Sequence, residues 1–97
     1  MKRLSNKEIL NELSLLNDWV LNDNQITKVY KLNSFMEVMS LANLVSDKSE
    51  QIDHHPKIII DFNQIEFLIT THSEGGITNL DFMLASFIEE TYNELFS

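Results

Sequence analysis

The 97-residue sequence has no cysteine, only two glycines and one proline, and no long apolar run. Without cysteine there is no disulfide framework, no thiolate nucleophile and no cysteine-based zinc site. No apolar stretch approaches the roughly 20 residues needed to span a bilayer. The two basic residues near the start are not followed by an apolar run, so we expect no secretion signal. These absences lead us to expect a cytoplasmic protein.

Basic residues are also scarce, because 7 Lys and Arg stand against 15 Asp and Glu, a formal net charge of −8. A nucleic-acid-binding module needs a basic stripe that neutralises phosphates, and anionic lipid selects basic surfaces in the same way. The charge therefore argues against nucleic acid and membrane as partners. A hydrophobic content of 43% is ordinary for a globular chain. We expect one domain, residues 1–97, with a small core. Contacts between the subunits of an oligomer are expected to complete the burial of that core.

Three segments carry apolar residues at helical spacing, and each begins with a hydroxyl residue and a carboxylate three positions apart. These predicted capping boxes are Ser5/Glu8, Ser34/Glu37 and Thr78/Asp81. The first helix is predicted over residues 5–16. The residues predicted to face inward are Ile9, Leu10, Leu13 and Leu16 in the first helix, Phe35, Val38, Met39, Ala42 and Val45 in the second, and Leu80, Leu84, Phe87, Ile88 and Leu95 in the last. The acidic residues Glu89, Glu90 and Glu94 are predicted on the solvent face of the last helix.

Two further segments read as β-hairpins. Residues 19–21 and 26–32 flank an Asn/Asp turn, and the β-branched and aromatic runs 58–62 and 65–71 flank Asn63-Gln64. The order is therefore α-β-β-α-β-β-α. It predicts an α+β two-layer sandwich in which a four-stranded antiparallel sheet carries helices on one face. The uncovered sheet face and its edges are the natural places for a second subunit to dock.

All three histidines, His54, His55 and His72, fall within nineteen positions. Imidazole titrates near neutral pH and is therefore suited to general acid/base chemistry. Because the second hairpin is antiparallel, the loop before its first strand lies beside the end of its second strand. We expect the three histidines to converge at that rim of the sheet. Glu50, one helical turn before His54, and Asp81, in the first turn of the last helix, are candidates to orient an imidazole.

Other interpretations of the histidines remain open at this point. A His-His pair in a loop is commonly an exposed turn without a function. A three-histidine zinc site is disfavoured, because neither a His-x-His nor a His-x₃-His spacing is present. Serine hydrolysis is also disfavoured, because Ser73 and His72 are neighbours that point to opposite faces of an extended strand. We therefore expect no metal site.

The spacing Glu50-x₃-His54-His55-Pro56-x₅-Phe62-x₉-His72-x₈-Asp81, together with the segment from Thr70 to Thr78, resembles the signature of the pterin-4a-carbinolamine dehydratases. The resemblance implies the same order of helices and strands. It also implies dehydration of 4a-hydroxytetrahydrobiopterin to quinonoid dihydropterin during tetrahydrobiopterin recycling, with no cofactor. The family often has Tyr or Trp where this chain has Phe62, a change that removes no proposed catalytic group.

The resemblance further implies roles for individual residues. His54 and His72 exchange protons with the 4a hydroxyl, and His55 holds the pterin. Glu50 and Asp81 orient these imidazoles, and Pro56 stiffens the loop. The segment around Thr70, Thr71 and Ser73 binds the pterin ring.

The resemblance also suggests partners. Family members are commonly homodimers or homotetramers, and an aromatic amino-acid hydroxylase supplies the substrate. An alternative function is a small oligomeric interaction module, since animal members also serve as dimerisation cofactors for a homeodomain transcription factor.

Overall fold

The secondary structure follows the predicted order α-β-β-α-β-β-α, in a computed structural model that describes residues 2–97. The elements are helix α1 (Asn6–Leu13), strands β1 (Val20–Asn22) and β2 (Gln25–Lys31), helix α2 (Phe35–Ile52), strands β3 (Lys57–Asp61) and β4 (Gln64–Ile69), a 3₁₀ turn (His72–Glu74) and helix α3 (Asn79–Leu95). The predicted α+β architecture is confirmed. No helix within residues 2–97 is both long and apolar enough to cross a bilayer.

The four strands form one antiparallel sheet in the order β1-β2-β4-β3. The two hairpins are joined through β2 and β4, with Ile26 opposite Ile69 and Tyr30 opposite Ile65. The strands β1 and β3 are therefore the edges. This pairing brings the β1–β2 turn, the loop before β3 and the segment after β4 to the same end of the sheet, where the candidate functional residues lie.

The core lies between one face of the sheet and the helices. Alternate residues of the central strands point to that face; Ile26, Ile65 and Phe67 are fully buried there. Helices α2 and α3 cover them with side chains at helical spacing, including Leu41 and Leu84. Complete burial of an aliphatic or aromatic side chain stabilises a fold by about 1.5–3 kcal/mol.

The helix starts largely agree with the sequence. The capping boxes Ser5/Glu8 and Thr78/Asp81 are complete, with both reciprocal hydrogen bonds. The predicted box at the start of α2 is only half formed. Ser34 Oγ accepts from the Glu37 N–H, at 3.1 Å, but the Glu37 carboxylate accepts from the Asn33 N–H rather than that of Ser34.

Three residues predicted to face inward are instead exposed: Leu10 at 61%, Phe35 at 46% and Leu95 at 61%. Phe35 is the first residue of α2 and Leu95 the last of α3. A terminal residue has a helical turn on one side only, and so it is less covered than the periodic pattern implies. Helix α1 ends at Leu13 rather than Leu16 and buries only Ile9 completely.

The second hairpin also departs from prediction at both ends. Its turn is Phe62-Asn63, because Gln64 already pairs with Asp61. Phe62 adopts a left-handed conformation with φ 50°. At the other end β4 stops at Ile69, and Thr71 pairs only with Gly76 in an isolated bridge.

Glu89 was predicted on the solvent face of the last helix, and this is wrong. Only 8% of Glu89 is exposed, and its Oε1 accepts from Trp19 Nε1–H (3.2 Å), Lys28 Nζ (2.8 Å) and the Tyr30 hydroxyl. Burial opposes ionisation of Glu89, but hydrogen bonds from Lys28, Tyr30 and Trp19 outweigh it and lower the pKa of this carboxyl. Burial, reinforced by the hydrogen bond to Glu89, raises the pKa of Tyr30. We call these four residues the Glu89 cluster.

Candidate functional site

His54 is positioned by the way α2 ends. Asp53 adopts a left-handed conformation (φ 52°), and the His54 N–H donates to the Ser49 carbonyl at 3.0 Å. This six-to-one hydrogen bond is typical of a Schellman helix ending, which reverses the chain. The reversal carries the imidazole back towards the start of α3. Its Nε2 lies 2.6 Å from Asp81 Oδ1; His54 is 9% exposed and Asp81 is completely buried.

The second carboxylate oxygen of Asp81 is held by two threonines. Asp81 Oδ2 accepts from the Thr71 hydroxyl and from the Thr78 N–H, both at 2.8 Å. The hydroxyls of Thr71 and Thr78 are 2.9 Å apart, and the Thr78 hydroxyl also accepts from the Leu80 N–H at 3.3 Å. A hydroxyl has one proton, and that of Thr71 goes to Asp81, so the Thr78 hydroxyl donates to Thr71. In this buried series of hydrogen bonds, each hydroxyl donates in the direction of the Asp81 carboxylate.

The arrangement selects one protonation pattern for the His54 ring. An ionised carboxylate only accepts hydrogen bonds, so the proton of the neutral imidazole lies on Nε2, facing Asp81. Within residues 2–97 no fully buried side-chain nitrogen or oxygen lacks a hydrogen-bond partner. His54 Nδ1 has no hydrogen-bond partner among these residues. It is therefore not one of the fully buried atoms and is accessible to solvent. His54 therefore presents an unprotonated nitrogen to the surface while its other nitrogen is held.

His55 has a different carboxylate and a different environment. Its Nε2 is hydrogen-bonded to Glu50 Oε2, with the two side chains 54% and 78% exposed. The sequence predicted that Glu50 would orient an imidazole, with the one-turn spacing favouring His54. Helix α2 ends at Ile52, so that helical spacing does not persist as far as His54, and His55 is the histidine that Glu50 contacts.

His72 lies in a third setting. It is exposed at the start of the 3₁₀ turn, which ends at Gly75 in a left-handed conformation (φ 72°) that glycine adopts without strain. It borders a cleft of about 230 Å³ whose lining residues come from the β1–β2 turn and the segment after β4: Asp23, Asn24, Gln25, Thr70, His72, Gly75 and Gly76.

Two hydrogen bonds hold the walls of this cleft together. Asn24 Nδ2 donates to the Gly75 carbonyl at 2.7 Å, and the Thr70 hydroxyl donates to the Asn24 carbonyl at 2.6 Å. Asn24 lines this cleft, which the sequence did not indicate beyond its place in a turn. Thr78 was predicted only as a helix cap, although the same hydroxyl also belongs to the network around Asp81.

The predicted site residues thus form one connected network around Asp81, with the His55–Glu50 pair and the His72 cleft outside it. The structure joins His54, Asp81 and Thr71 in a single network, and His72 follows Thr71 directly. No hydrogen bond within residues 2–97 links one imidazole to another, and neither His54 nor His55 borders the His72 cleft. Pro56 is half-buried beside His55, and Ser73 is exposed. No group of three or more His, Asp or Glu side chains in this range is placed to hold a metal ion.

Comparisons with known proteins identify the family of the chain. Residues 2–91 match the family described as "Pterin 4 alpha carbinolamine dehydratase". A relative from Sulfurisphaera tokodaii, named "Putative pterin-4-alpha-carbinolamine dehydratase", is 39% identical over 93% of this chain and 97% of its own. A relative of the same name from Chloroflexus aurantiacus is 38% identical over the same shares.

A solved structure from Brucella melitensis, titled "transcriptional coactivator/pterin dehydratase", superposes with a TM-score of 0.89. It is 28% identical, and the match covers 92% of this chain and 97% of that one. The chain belongs to the pterin-4a-carbinolamine dehydratase family. The resemblance noted in the sequence is confirmed.

Proposed function

We propose that this chain is a hydro-lyase that eliminates water from 4a-hydroxytetrahydrobiopterin and yields quinonoid dihydropterin during tetrahydrobiopterin recycling. The observation that carries the proposal is the buried His54–Asp81 pair, found in a chain of the pterin dehydratase family. Holding Nε2 while leaving Nδ1 open is what a histidine needs in order to act as a positioned base.

The reaction needs two proton transfers. The C4a–O bond breaks as the C4a–N5 double bond forms, so the leaving hydroxyl takes up a proton and N5 loses one. His54, with Nδ1 unprotonated, is the proposed acceptor, and His72 in its protonated form is the proposed donor. Each positioned acid or base of this kind contributes about 10²–10⁴-fold to the rate.

Substrate binding is proposed along the rim of the sheet, between the His72 cleft and the loop that carries His54 and His55, with His55 holding the pterin. The cleft offers backbone groups and the side chains of Asn24 and Gln25, which suit the polar edge of a flat heterocycle. Thr70 and Ser73 are proposed to support it. Glu50 is proposed to orient His55. No cofactor enters the proposed reaction.

The proposal is tested by generating the carbinolamine with an aromatic amino-acid hydroxylase, its proposed partner in the cytoplasm, and following dehydration spectroscopically. We expect the purified chain to accelerate dehydration well above the spontaneous rate, in proportion to its concentration. A rate that equals the spontaneous one at every protein concentration overturns the proposal.

A second candidate, an oligomeric interaction module, is favoured by a different observation. Phe35, Met36 and Phe62 are 46%, 71% and 67% exposed, and they lie around the far end of the sheet, where the Leu32 N–H donates to the Asn63 carbonyl at 2.8 Å. We propose that the chain forms a homodimer or homotetramer. An interaction module without catalysis assembles but leaves the dehydration rate at its spontaneous value, and this outcome separates the two functions.

A further inference from the structure

We propose that Thr71 is a positioning residue for His54, which it fixes through Asp81, and not a contact of the substrate. The inference rests on the proposed function for its kinetic consequence alone. Its structural core is the Thr71–Asp81–His54 connection, which exists whatever the substrate is.

Thr71 has no polar group left for a ligand. Its hydroxyl donates to Asp81 and accepts from Thr78. Its N–H donates to the Gly76 carbonyl at 3.1 Å, and its carbonyl accepts from the Gly76 and Glu74 N–H groups at 3.3 and 3.1 Å. The residue is only 6% exposed. The resemblance implied that this segment binds pterin, but the polar groups of Thr71 are all engaged within the protein.

The Thr71 hydroxyl fixes the orientation of the Asp81 carboxylate. Asp81 Oδ1 faces His54, and Oδ2 is held by one hydroxyl and one backbone N–H. Removing the Thr71 hydroxyl leaves Oδ2 with the Thr78 N–H alone and leaves the Thr78 hydroxyl without its acceptor. Thr78 is completely buried, so an unpaired hydroxyl there carries its full desolvation penalty. The least costly relief is a reorientation of the Asp81 carboxylate towards Thr78, which weakens its hold on His54 Nε2.

Thr71 also anchors the turn that carries His72. Its backbone pairs with Gly76 on both sides of the bridge, and His72 is the next residue. One residue therefore sets the orientation of His54 through its side chain and the place of His72 through its backbone. A proton acceptor and a proton donor that act on one substrate need such a fixed relation.

The direct test is ¹⁵N NMR of the histidine rings in the protein without substrate, at a pH where free imidazole is neutral. The chain has only three histidines, so each ring is assignable. In the wild type we expect His54 to show a single tautomer with the proton on Nε2. In Thr71→Val we expect the two His54 ring nitrogens to shift towards each other, because both tautomers become populated.

Three further variants complete the experiment. Thr71→Ser keeps the hydroxyl and is expected to preserve the wild-type His54 signals. Thr91→Val makes the same change at another buried threonine, ten residues along from Asp81, and is also expected to preserve them. Thr71→Ala repeats the test if Thr71→Val does not fold. Unchanged His54 ring signals in whichever of these two variants folds overturn the inference.

The kinetic readout separates positioning from substrate contact. We expect Thr71→Val to lower kcat roughly tenfold, a part of the about 10²–10⁴-fold that a positioned base contributes, with KM within about twofold of the wild type. A raised KM with unchanged kcat identifies a substrate contact and contradicts the inference. Because the NMR measurement uses no substrate, it stands even if the chain proves not to be a dehydratase.

Discussion

At the scale of single residues, the chain uses the same histidine–carboxylate pair in two environments with different consequences. His55 and Glu50 are more than half exposed, and such pairs contribute about 0–1 kcal/mol because water screens them and their side chains lose entropy. His54 and Asp81 are almost fully buried, and leaving one side of a buried hydrogen bond unpaired costs about 1–3 kcal/mol. Only the buried pair is rigid enough to fix a tautomer.

The contrast predicts different effects of matched substitutions. Asp81→Asn removes a buried negative charge and half of its acceptor capacity, and we expect the free energy of unfolding in urea to fall by about 2 kcal/mol. Glu50→Gln makes the same change on the surface, and we expect less than about 1 kcal/mol. If the free energy of unfolding falls equally in the two variants, the distinction between the buried and the exposed pair is contradicted.

The residues of the site were foreseeable in part. The spacing of His54, His72 and Asp81 matched a known signature, and the structure places Asp81 against His54. Which imidazole Glu50 contacts was not foreseeable, because the one-turn spacing to His54 holds only if α2 continues beyond Ile52, and Glu50 contacts His55 instead. Where a helix ends depends here on one left-handed residue, Asp53, and no periodic pattern encodes it.

At the scale of elements, the alternating pattern of β2 contained a signal for the Glu89 cluster. Lys28 lies between Ile26 and Tyr30 on the face that points to the helices, where a lysine needs a buried partner. Glu89 is that partner, at 2.8 Å. A helical wheel of α3 alone places Glu89 beside other acidic residues and predicts solvent, because the lysine is 61 residues away in the sequence.

The Glu89 cluster predicts how stability depends on pH. The folded protein lowers the pKa of Glu89 below its ordinary value of 4.5, so the stabilisation is fully present above that pH and is lost as the pH falls through the lowered pKa. We expect the wild type to be more stable than Glu89→Gln at neutral pH, and the difference in free energy of unfolding to shrink in acid. Glu90→Gln, at an exposed neighbour, is the control and is expected to behave like the wild type. If the difference in free energy of unfolding between the wild type and Glu89→Gln stays constant down to acid pH, the lowered pKa of Glu89 is contradicted.

The two hairpin turns provide another comparison between elements. Each has two residues, with positive φ at the first, Asp23 (56°) and Phe62 (50°). Aspartate tolerates this conformation, whereas a bulky residue with positive φ is an outlier. Such residues cost on the order of 1–3 kcal/mol.

We therefore expect Phe62→Asn to raise the free energy of unfolding of the monomer by about 1 kcal/mol, measured in urea at a protein concentration at which the chain does not self-associate. Asp23→Asn, at the equivalent position of the other turn, is expected to leave the free energy of unfolding nearly unchanged. If Phe62→Asn lowers the free energy of unfolding of the monomer, the attribution of strain to Phe62 is contradicted.

At the scale of the whole molecule, sequence periodicity could predict the order of elements along the chain. It could not predict the order of the strands within the sheet. Hydrophobic alternation identifies a strand and its buried face, as in Ile65 and Phe67. It does not say that β2 pairs with β4, which leaves β1 and β3 as edges. That pairing adds the β1–β2 turn, with Asn24, to the end of the sheet where the histidines lie.

The exposed edges and apolar side chains predict self-association. By light scattering during size-exclusion chromatography we expect a mass of two or four times the 11.3 kDa of one chain. A mass of one chain at every concentration contradicts this expectation and leaves Phe35, Met36 and Phe62 exposed to solvent in the functional state.

The central claim is that imidazoles on two different segments carry out the dehydration, and one comparison tests it most directly. The dehydration rate of 4a-hydroxytetrahydrobiopterin is measured with the wild type and with the double variant His54→Ala/His72→Ala, alongside circular dichroism of both. We predict that the double variant keeps the wild-type dichroism spectrum and falls to the spontaneous rate. A folded double variant that dehydrates the carbinolamine as fast as the wild type contradicts the account.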